Sequence, residues 1–134
     1  MRPFEFVIQS RPVSQQTRHR DRLREWRDFV RQEAQRRWPD SDAVREGPVC
    51  LTLVYLCEES PLDLDNIIKP IQDALVGVAF PDDSLVTDLI GRRRRLGETF
   101  DFNRVSPVLI RGFEPGGEFV YVHVGDAPPQ EQLL

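Results

Sequence analysis

The sequence predicts a small single α+β domain in which a mixed β-sheet packs against helices, and three features support this prediction. Apolar residues repeat with a helical period over residues 18–38. An uninterrupted apolar run of strand length occupies residues 49–57, and a second helical pattern follows soon after it. The 134 residues are enough for one domain with a buried core, and no repeat or linker divides them. We therefore expect one domain over residues 1–125 and a flexible tail over residues 126–134.

The N-terminal part should contain one short strand and one long helix. Residues 4–9 have the composition of a strand. Four apolar residues then recur at three- and four-residue steps, which puts them on one helix face: Leu23, Trp26, Val30 and Ala34. Four arginines form a second stripe and, since acids are interleaved with them, predict a solvated face: Arg20, Arg24, Arg27 and Arg31. Pro39 is expected to end this helix.

The rest of the chain should complete the sheet around a second helix. The run at residues 49–57 is expected to be a central, buried strand. The second helix should reach Val76, but Pro70 disfavours helical geometry at Lys69, so the regular helix is expected to begin near residue 70. The remaining extended segments are expected at residues 85–95, 106–113 and 118–124. The last two would form a closing hairpin, which gives about five strands and two principal helices.

The composition favours a cytoplasmic protein with no membrane partner. No apolar run approaches the ~18–20 residues of a membrane span. The N-terminus has no long hydrophobic segment followed by a small-residue cleavage site. Cys50 and Cys57 lie seven apart on one predicted strand, so they point to opposite faces and are not expected to form a disulfide.

The net charge of −4 conceals a segregation of charge along the chain. Residues 1–37 carry a net charge of +5, residues 38–91 carry −9, and residues 92–134 are neutral. This pattern is typical of an acidic catalytic centre framed by phosphate-binding surfaces. It is equally compatible with three solvated surfaces that share no purpose.

Lys69 is the only lysine in a chain with seventeen arginines, and it lies within the densest group of carboxylates. An ammonium group is a compact point charge that arginine does not simply replace. Asp63 and Asp65 precede Lys69, and Asp82 and Asp83 follow in a separate turn, so acids from two places can converge on Mg²⁺. The alternative is purely structural. In that case Asp65 caps the helix, Lys69 is its i,i+4 ion-pair partner, and the other acids form a turn.

The order and spacing of these residues resemble the RusA family of Holliday-junction resolvases. The pattern covers about residues 61–95 and reads Asp63-x-Asp65-Asn66-x-x-Lys69-x-x-x-Asp73-Ala74-Leu75, then Asp82-Asp83-x-x-Val86-x-Asp88. The resemblance implies a small α+β domain with a mixed sheet, acting as a homodimer on branched DNA, namely four-way junctions. It also implies a metal-dependent endodeoxyribonuclease of recombination or repair, with Mg²⁺ as the cofactor and Mn²⁺ as a substitute.

The resemblance further assigns roles to individual residues. Asp63, Asp65 and Asp83 correspond to the catalytic carboxylates that bind magnesium, and Lys69 corresponds to the family's essential lysine. The lysine would stabilise charge on the transition-state phosphate or protonate the leaving oxygen. Four further motif positions are expected to have supporting roles: Asn66, Asp73, Asp82 and Asp88.

DNA contact is expected from arginine. Residues 92–95 alternate between the faces of a strand, so Arg92 and Arg94 can reach phosphate on one side, and Arg11 lies in the loop that engages substrate in the family. The run can instead serve to protect an edge strand. Because the N-terminal loop keeps only part of the family pattern, a catalytically silent junction-binding protein of the same fold is the alternative. A metal-dependent enzyme acting on a nucleotide is a third reading, but it explains neither Lys69 nor the arginine run.

Overall fold

The computed structural model describes residues 3–38 and 45–134. The elements follow in the order β1 (Phe4–Ile8), α1 (Arg20–Arg37), β2 (Val49–Cys57), α2 (Leu64–Leu75), β3 (Val86–Arg95), α3 (Pro107–Arg111) and β4 (Phe119–Asp126). A 3-10 turn at Asp83–Leu85 precedes β3. The expected stop of the first helix at Pro39 lies outside the described residues. The α+β class predicted from the sequence is confirmed.

The four strands form one mixed sheet in the order β1-β4-β2-β3. β4 pairs antiparallel with both β1 and β2, whereas β2 and β3 run parallel. Parallel neighbours need a crossover connection, and α2 supplies it. The run at residues 49–57 is therefore an interior strand, as predicted, and β3 lies at the edge of the sheet.

The core lies between one face of the sheet and the two long helices. Alternate residues of β2, including Leu51, Leu53 and Tyr55, are fully buried on this face, which we call the helix-covered face. The predicted apolar face of α1 is confirmed, since all four of its members are buried: Leu23, Trp26, Val30 and Ala34. The opposite face of the sheet, which bears Thr52 and Val54, is called the outer face.

The arginine stripe of α1 is not simply a solvated face, so that prediction is wrong in part. Arg31 donates to the carbonyl oxygens of Ala74 at 3.0 Å and Val76 at 3.3 Å, at the C-terminal end of α2. These carbonyls have no partner within the helix, and a cation there also complements the helix dipole. Arg20 donates to the Gln15 carbonyl at 3.0 Å. The stripe thus joins α1 to its neighbours.

The expected closing hairpin is also wrong, because residues 107–111 form a short helix rather than a strand. The Ser106 hydroxyl accepts a hydrogen bond from the Val108 N–H at 3.1 Å, and Pro107 occupies the first helical turn. Serine at the N-cap followed by proline is a helix-start signal. Local capping at Ser106 therefore favours a helix over the extended structure predicted for residues 106–113. The sheet has four strands rather than five.

Three further predictions concern the end of the last strand, the cysteines and the membrane. β4 continues to Asp126, whose carboxylate pairs with the buried Arg45 guanidinium at 2.7 Å, so the strand extends one residue into the expected tail. Cys50 and Cys57 are both free, as predicted. In the part of the chain that the structure describes, no helix is long and apolar enough to cross a membrane.

A substitution at Gly112, just after α3, can test how tightly the outer face is packed. A Cβ atom at this position would lie 2.8 Å from Cδ2 of the buried Phe119 ring, which itself packs edge-on against Phe113. We expect Gly112→Ala to lower the free energy of unfolding by about 1–3 kcal/mol, since overpacking forces the ring or the backbone to move. Urea denaturation measures this change. Gly47→Ala is the control, because nothing lies within 4 Å of its Cβ position, and an equal loss in both variants would contradict the prediction.

Candidate active site

The exposed side of α2 brings Lys69 together with two carboxylates. The Lys69 Nζ atom lies 2.9 Å from Asp73 Oδ1, one helical turn further on, and 3.7 Å from Asp83 Oδ2. The hydrogen bond to Asp73, with the charges of Asp73 and Asp83, raises the pKa of Lys69. The side chain is half exposed, so a fully charged ammonium group faces solvent between two acids.

The helix that carries this group begins earlier than Pro70 predicts. α2 is regular from Leu64, and Pro70 lies inside it. Proline has no N–H to donate to the carbonyl of Asn66, four residues before it. That carbonyl instead accepts a hydrogen bond from the Gln15 N–H at 2.7 Å, in the N-terminal loop. The expectation of a helix start near residue 70 is thus wrong, because a tertiary contact satisfies the group that proline leaves unpaired.

Asp63 and Asp65 lie at the other end of the helix face. Asp63 occupies the position before the first helical residue, but its side chain makes no capping hydrogen bond and is 77% exposed. Its Oδ1 atom lies 3.9 Å from Arg93 Nη1. Asp65 is exposed in the first turn, where the helix dipole favours a negative charge. Lys69 pairs with Asp73 and Asp83, so the structural alternative in which Asp65 is its partner is not what the described residues show.

Asp82 and Asp83 come from the 3-10 turn that precedes β3. The Ser84 hydroxyl donates to Asp82 Oδ2 at 2.8 Å, and this bond lowers the pKa of the Asp82 carboxyl. Asp83 points towards Lys69, as described above. Sequence reasoning missed one member of the group, Arg27 of α1, whose Nη1 atom lies 3.9 Å from Asp73 Oδ2. Its place in the solvent-facing stripe gave no sign of this contact.

The carboxylates match magnesium in chemistry but not in arrangement. Mg²⁺ prefers carboxylate oxygens, and the exposed aspartates supply them. Within residues 3–38 and 45–134, however, no group of three or more acidic, histidine or cysteine side chains converges closely enough to hold a metal ion. Asp83 is paired with Lys69, and Asp63 lies close to Arg93 instead of the other carboxylates. The side chains in this conformation therefore do not form the expected three-carboxylate site.

A buried carboxylate fixes the loop that leads into α2. Glu118 accepts hydrogen bonds from the Tyr55 hydroxyl at 2.8 Å, from Arg11 at 2.9 Å and from the Glu58 N–H at 2.7 Å. Arg11 also donates to the Ser60 carbonyl at 3.0 Å. The guanidinium expected to contact DNA is thus bonded within the protein. No local pattern indicates this network, because Glu118 lies 63 residues from Tyr55 and 60 from Glu58.

The arginine run alternates between faces as predicted. The register pairs Arg93 with Tyr55, so Arg93 lies on the helix-covered side, where it donates to the Leu62 carbonyl at 3.2 Å. Arg92 pairs with Val54, on the outer face. Asp88, an expected supporting residue, pairs with Cys50 and therefore also lies on the outer face, away from Lys69.

Comparison with known protein families relates the chain to endodeoxyribonucleases. The endodeoxyribonuclease RusA family matches residues 3–100, which include every element from β1 to β3. The chain belongs to this family, and the resemblance to RusA-type Holliday-junction resolvases is confirmed. No curated protein sequence matches the chain. α3 and β4, with the buried Glu118, lie beyond the matched region.

The Tyr55–Glu118 bond predicts a pH dependence at high pH. Burial, with the hydrogen bond to Glu118 and its charge, raises the pKa of Tyr55 from 10.0 to about 12. The neutral phenol is therefore favoured in the folded state. Its contribution is complete below the unfolded pKa of 10.0 and is lost as the pH rises towards about 12.

We expect the free energy of unfolding to fall by up to roughly 1.4 kcal/mol per pH unit from this one group. Urea denaturation between pH 9 and 12 measures the slope, which should be shallower in Tyr55→Phe. An unchanged slope in that variant would show that Tyr55 does not ionise in this window.

Proposed function

We propose that the protein is a metal-dependent, structure-selective DNA endonuclease that hydrolyses phosphodiester bonds at four-way junctions. The observation that carries the proposal is the placement of Lys69, the only lysine, between two carboxylates on an exposed helix face inside the RusA match. Two anionic partners keep the ammonium group charged, and solvent exposure leaves it accessible to a phosphate.

Lys69 acts as the electrostatic catalyst in this proposal. The contact with Asp83, at 3.7 Å, is looser than the contact with Asp73, at 2.9 Å. The ammonium can therefore keep its bond to Asp73 while it exchanges Asp83 for a phosphate oxygen of the substrate. Negative charge grows on that oxygen as the phosphodiester bond is attacked, and a fixed cation stabilises it. Asp73 then serves as a positioning residue for Lys69.

Asp65 is proposed to orient the attacking water, because its exposed carboxylate has free lone pairs at the start of the same helix face. Asp63, Asp65 and Asp83 remain the proposed ligands of magnesium, with manganese as a substitute. Their donor chemistry supports this part of the proposal, whereas their arrangement without the ion does not. Asn66, Asp73 and Asp82 are proposed to support this face, whereas Asp88 would act from the outer face of the sheet.

A homodimer in the cytoplasm, acting in recombination or repair, completes the proposal. β3 is an edge strand on which Leu89 is 49% and Ile90 39% exposed. Exposed apolar residues on an edge strand favour contact with another chain. We expect analytical ultracentrifugation to detect a dimer. Ile90→Lys should weaken this dimer, whereas the control Leu133→Lys, in the exposed tail, should not. A monomer at every concentration would argue against paired cleavage by two symmetric sites.

A catalytically silent junction-binding protein is the second candidate. Two observations favour it: the predicted metal ligands do not converge, and Arg11 is bonded to Glu118. It predicts that the protein binds a four-way junction tightly and never cleaves it, with either metal present.

Cleavage of a synthetic four-way junction tests the leading proposal. With Mg²⁺ or Mn²⁺ the wild type should cut the junction, and Lys69→Ala should lower kcat by at least about 10²-fold, since removal of one preorganised donor typically costs that much. Lys69→Arg should also fail to restore the rate, because a planar guanidinium does not reproduce a compact ammonium. Asp65→Asn should abolish cleavage.

The matched control is Asp21→Asn, which removes an equally exposed carboxylate from α1. It should cut at the wild-type rate. If the wild-type protein leaves junctions, flaps and duplexes intact with both metals, the enzyme proposal fails. Tight junction binding in the same experiment would then support the silent binding protein.

A further inference from the structure

The outer face of the sheet carries an open groove that is separate from the α2 face. Its volume is about 460 Å³, within the range of sites for small molecules. Strands β1, β2, β3 and β4 supply its floor, and the segment around residues 104–109 forms one wall. Its lining includes Arg92 and Arg104. The sheet lies between this groove and Lys69.

Two arginines give the groove its positive charge. Arg92 and Arg104 are both exposed, and neither guanidinium has a hydrogen-bond or ion-pair partner in the described part of the chain. Arg93, the neighbour of Arg92, is by contrast bonded to the Leu62 carbonyl on the other side of the sheet. The groove thus presents two unused guanidinium groups, whose planar donor arrays match phosphate oxygens.

One acidic residue, Glu5, lines the groove, and its oxygens bond to hydroxyl groups rather than to the arginines. Glu5 accepts hydrogen bonds from the Tyr121 hydroxyl at 2.6 Å and from the Ser106 hydroxyl at 2.8 Å. Burial and the bond to Glu5 raise the pKa of Tyr121, which therefore remains a donor at neutral pH. Two guanidinium groups against one hydrogen-bonded carboxylate leave the groove attractive to an anion.

The rest of the lining suits a nucleobase. Val54, Val105 and Leu109 offer apolar surface, and the Thr52 hydroxyl and the His123 ring offer polar groups among them. Arg104 also holds a left-handed backbone conformation, with φ of 62°. Such a conformation is uncommon for a residue with a side chain and is found at ligand-binding loops.

We propose that this groove binds one unpaired nucleotide of a DNA strand, with the phosphate between Arg92 and Arg104 and the base against the apolar lining. A paired base cannot reach the floor, since it is stacked inside its helix, whereas a nucleotide at a branch point can leave the stack. The inference rests on the proposed function for its ligand. It adds a strand contact on the sheet face opposite the acidic helix.

Binding without catalysis tests the groove, so the measurements are made with no divalent metal present. Fluorescence anisotropy compares a labelled single-stranded oligonucleotide with a blunt duplex of the same sequence. The double variant Arg92→Gln/Arg104→Gln should bind the single strand at least tenfold more weakly than the wild type. The slope of log affinity against log salt should fall in magnitude by about 1.4, because two single-strand phosphate contacts are lost at about 0.7 each. The duplex should be affected much less.

Arg95→Gln is the matched control, because it removes an exposed arginine of the same strand on the helix-covered side. It should change single-strand affinity less than threefold. Equal losses in the control and the double variant would overturn the groove as a site. A competition experiment distinguishes a nucleotide site from a site for free phosphate. If inorganic phosphate displaces the oligonucleotide as readily as a mononucleotide does, the proposal is also overturned.

A second measurement on the wild type keeps the test valid if the double variant folds poorly. Amide chemical shifts followed during oligonucleotide titration should change at Thr52, Val54 and His123. Changes confined to α2 would overturn the groove proposal. The two proposals can fail separately. If the protein is inactive but its single-strand binding depends on Arg92 and Arg104, the groove proposal holds and the nuclease proposal fails. If the protein cleaves junctions but the double variant binds single strands normally, the nuclease proposal holds and the groove proposal fails.

Discussion

The parallel pairing of β2 and β3 is the constraint that organises the candidate site. Two parallel neighbours require a connection that returns along the whole strand, and α2 makes this return over about 18 Å. Asp63 therefore lies at the start of the helix, beside the end of β3, whereas Asp83 lies in the turn that begins β3. Asp63 and Asp83 thus come from opposite ends of this connection, and the expected carboxylates do not converge in this conformation. Lys69, from the middle of the helix, reaches Asp83 because its side chain is long.

Hydrogen bonds tie the N-terminal loop to α2 and to the loop that precedes it. The Gln15 N–H bonds the Asn66 carbonyl that Pro70 leaves unpaired, and Arg11 joins Glu118 to the loop before α2. The first contact satisfies a carbonyl that has no partner within the helix, and the second adds a charge-assisted hydrogen bond to the buried Glu118 carboxylate. The N-terminal loop therefore makes structural contacts within the protein through Arg11 and Gln15.

Local sequence patterns predicted most of the secondary structure, because helices and strands bury residues with different periods. The 3.6-residue period identified α1, the continuous apolar run identified β2 as an interior strand, and the two-residue period placed Arg92 and Arg93 on opposite faces. The pattern around Lys69 also identified the family. Two segments were mispredicted: the extended pattern of residues 106–113 hid the capping signal at Ser106, and Pro70 hid the helix start at Leu64.

The sequence by itself determined the periodicities, the isolation of Lys69 among acids and the order of its motif. The tertiary structure alone decided the partners. Asp83 pairs with Lys69 from a separate turn, Glu118 accepts a hydrogen bond from Arg11, and Asp88 lies on the outer face. The physical reason is that a period reports which side of an element is buried, whereas a partner depends on which distant element packs there. Hydrogen bonds across a hundred residues leave no local pattern to read.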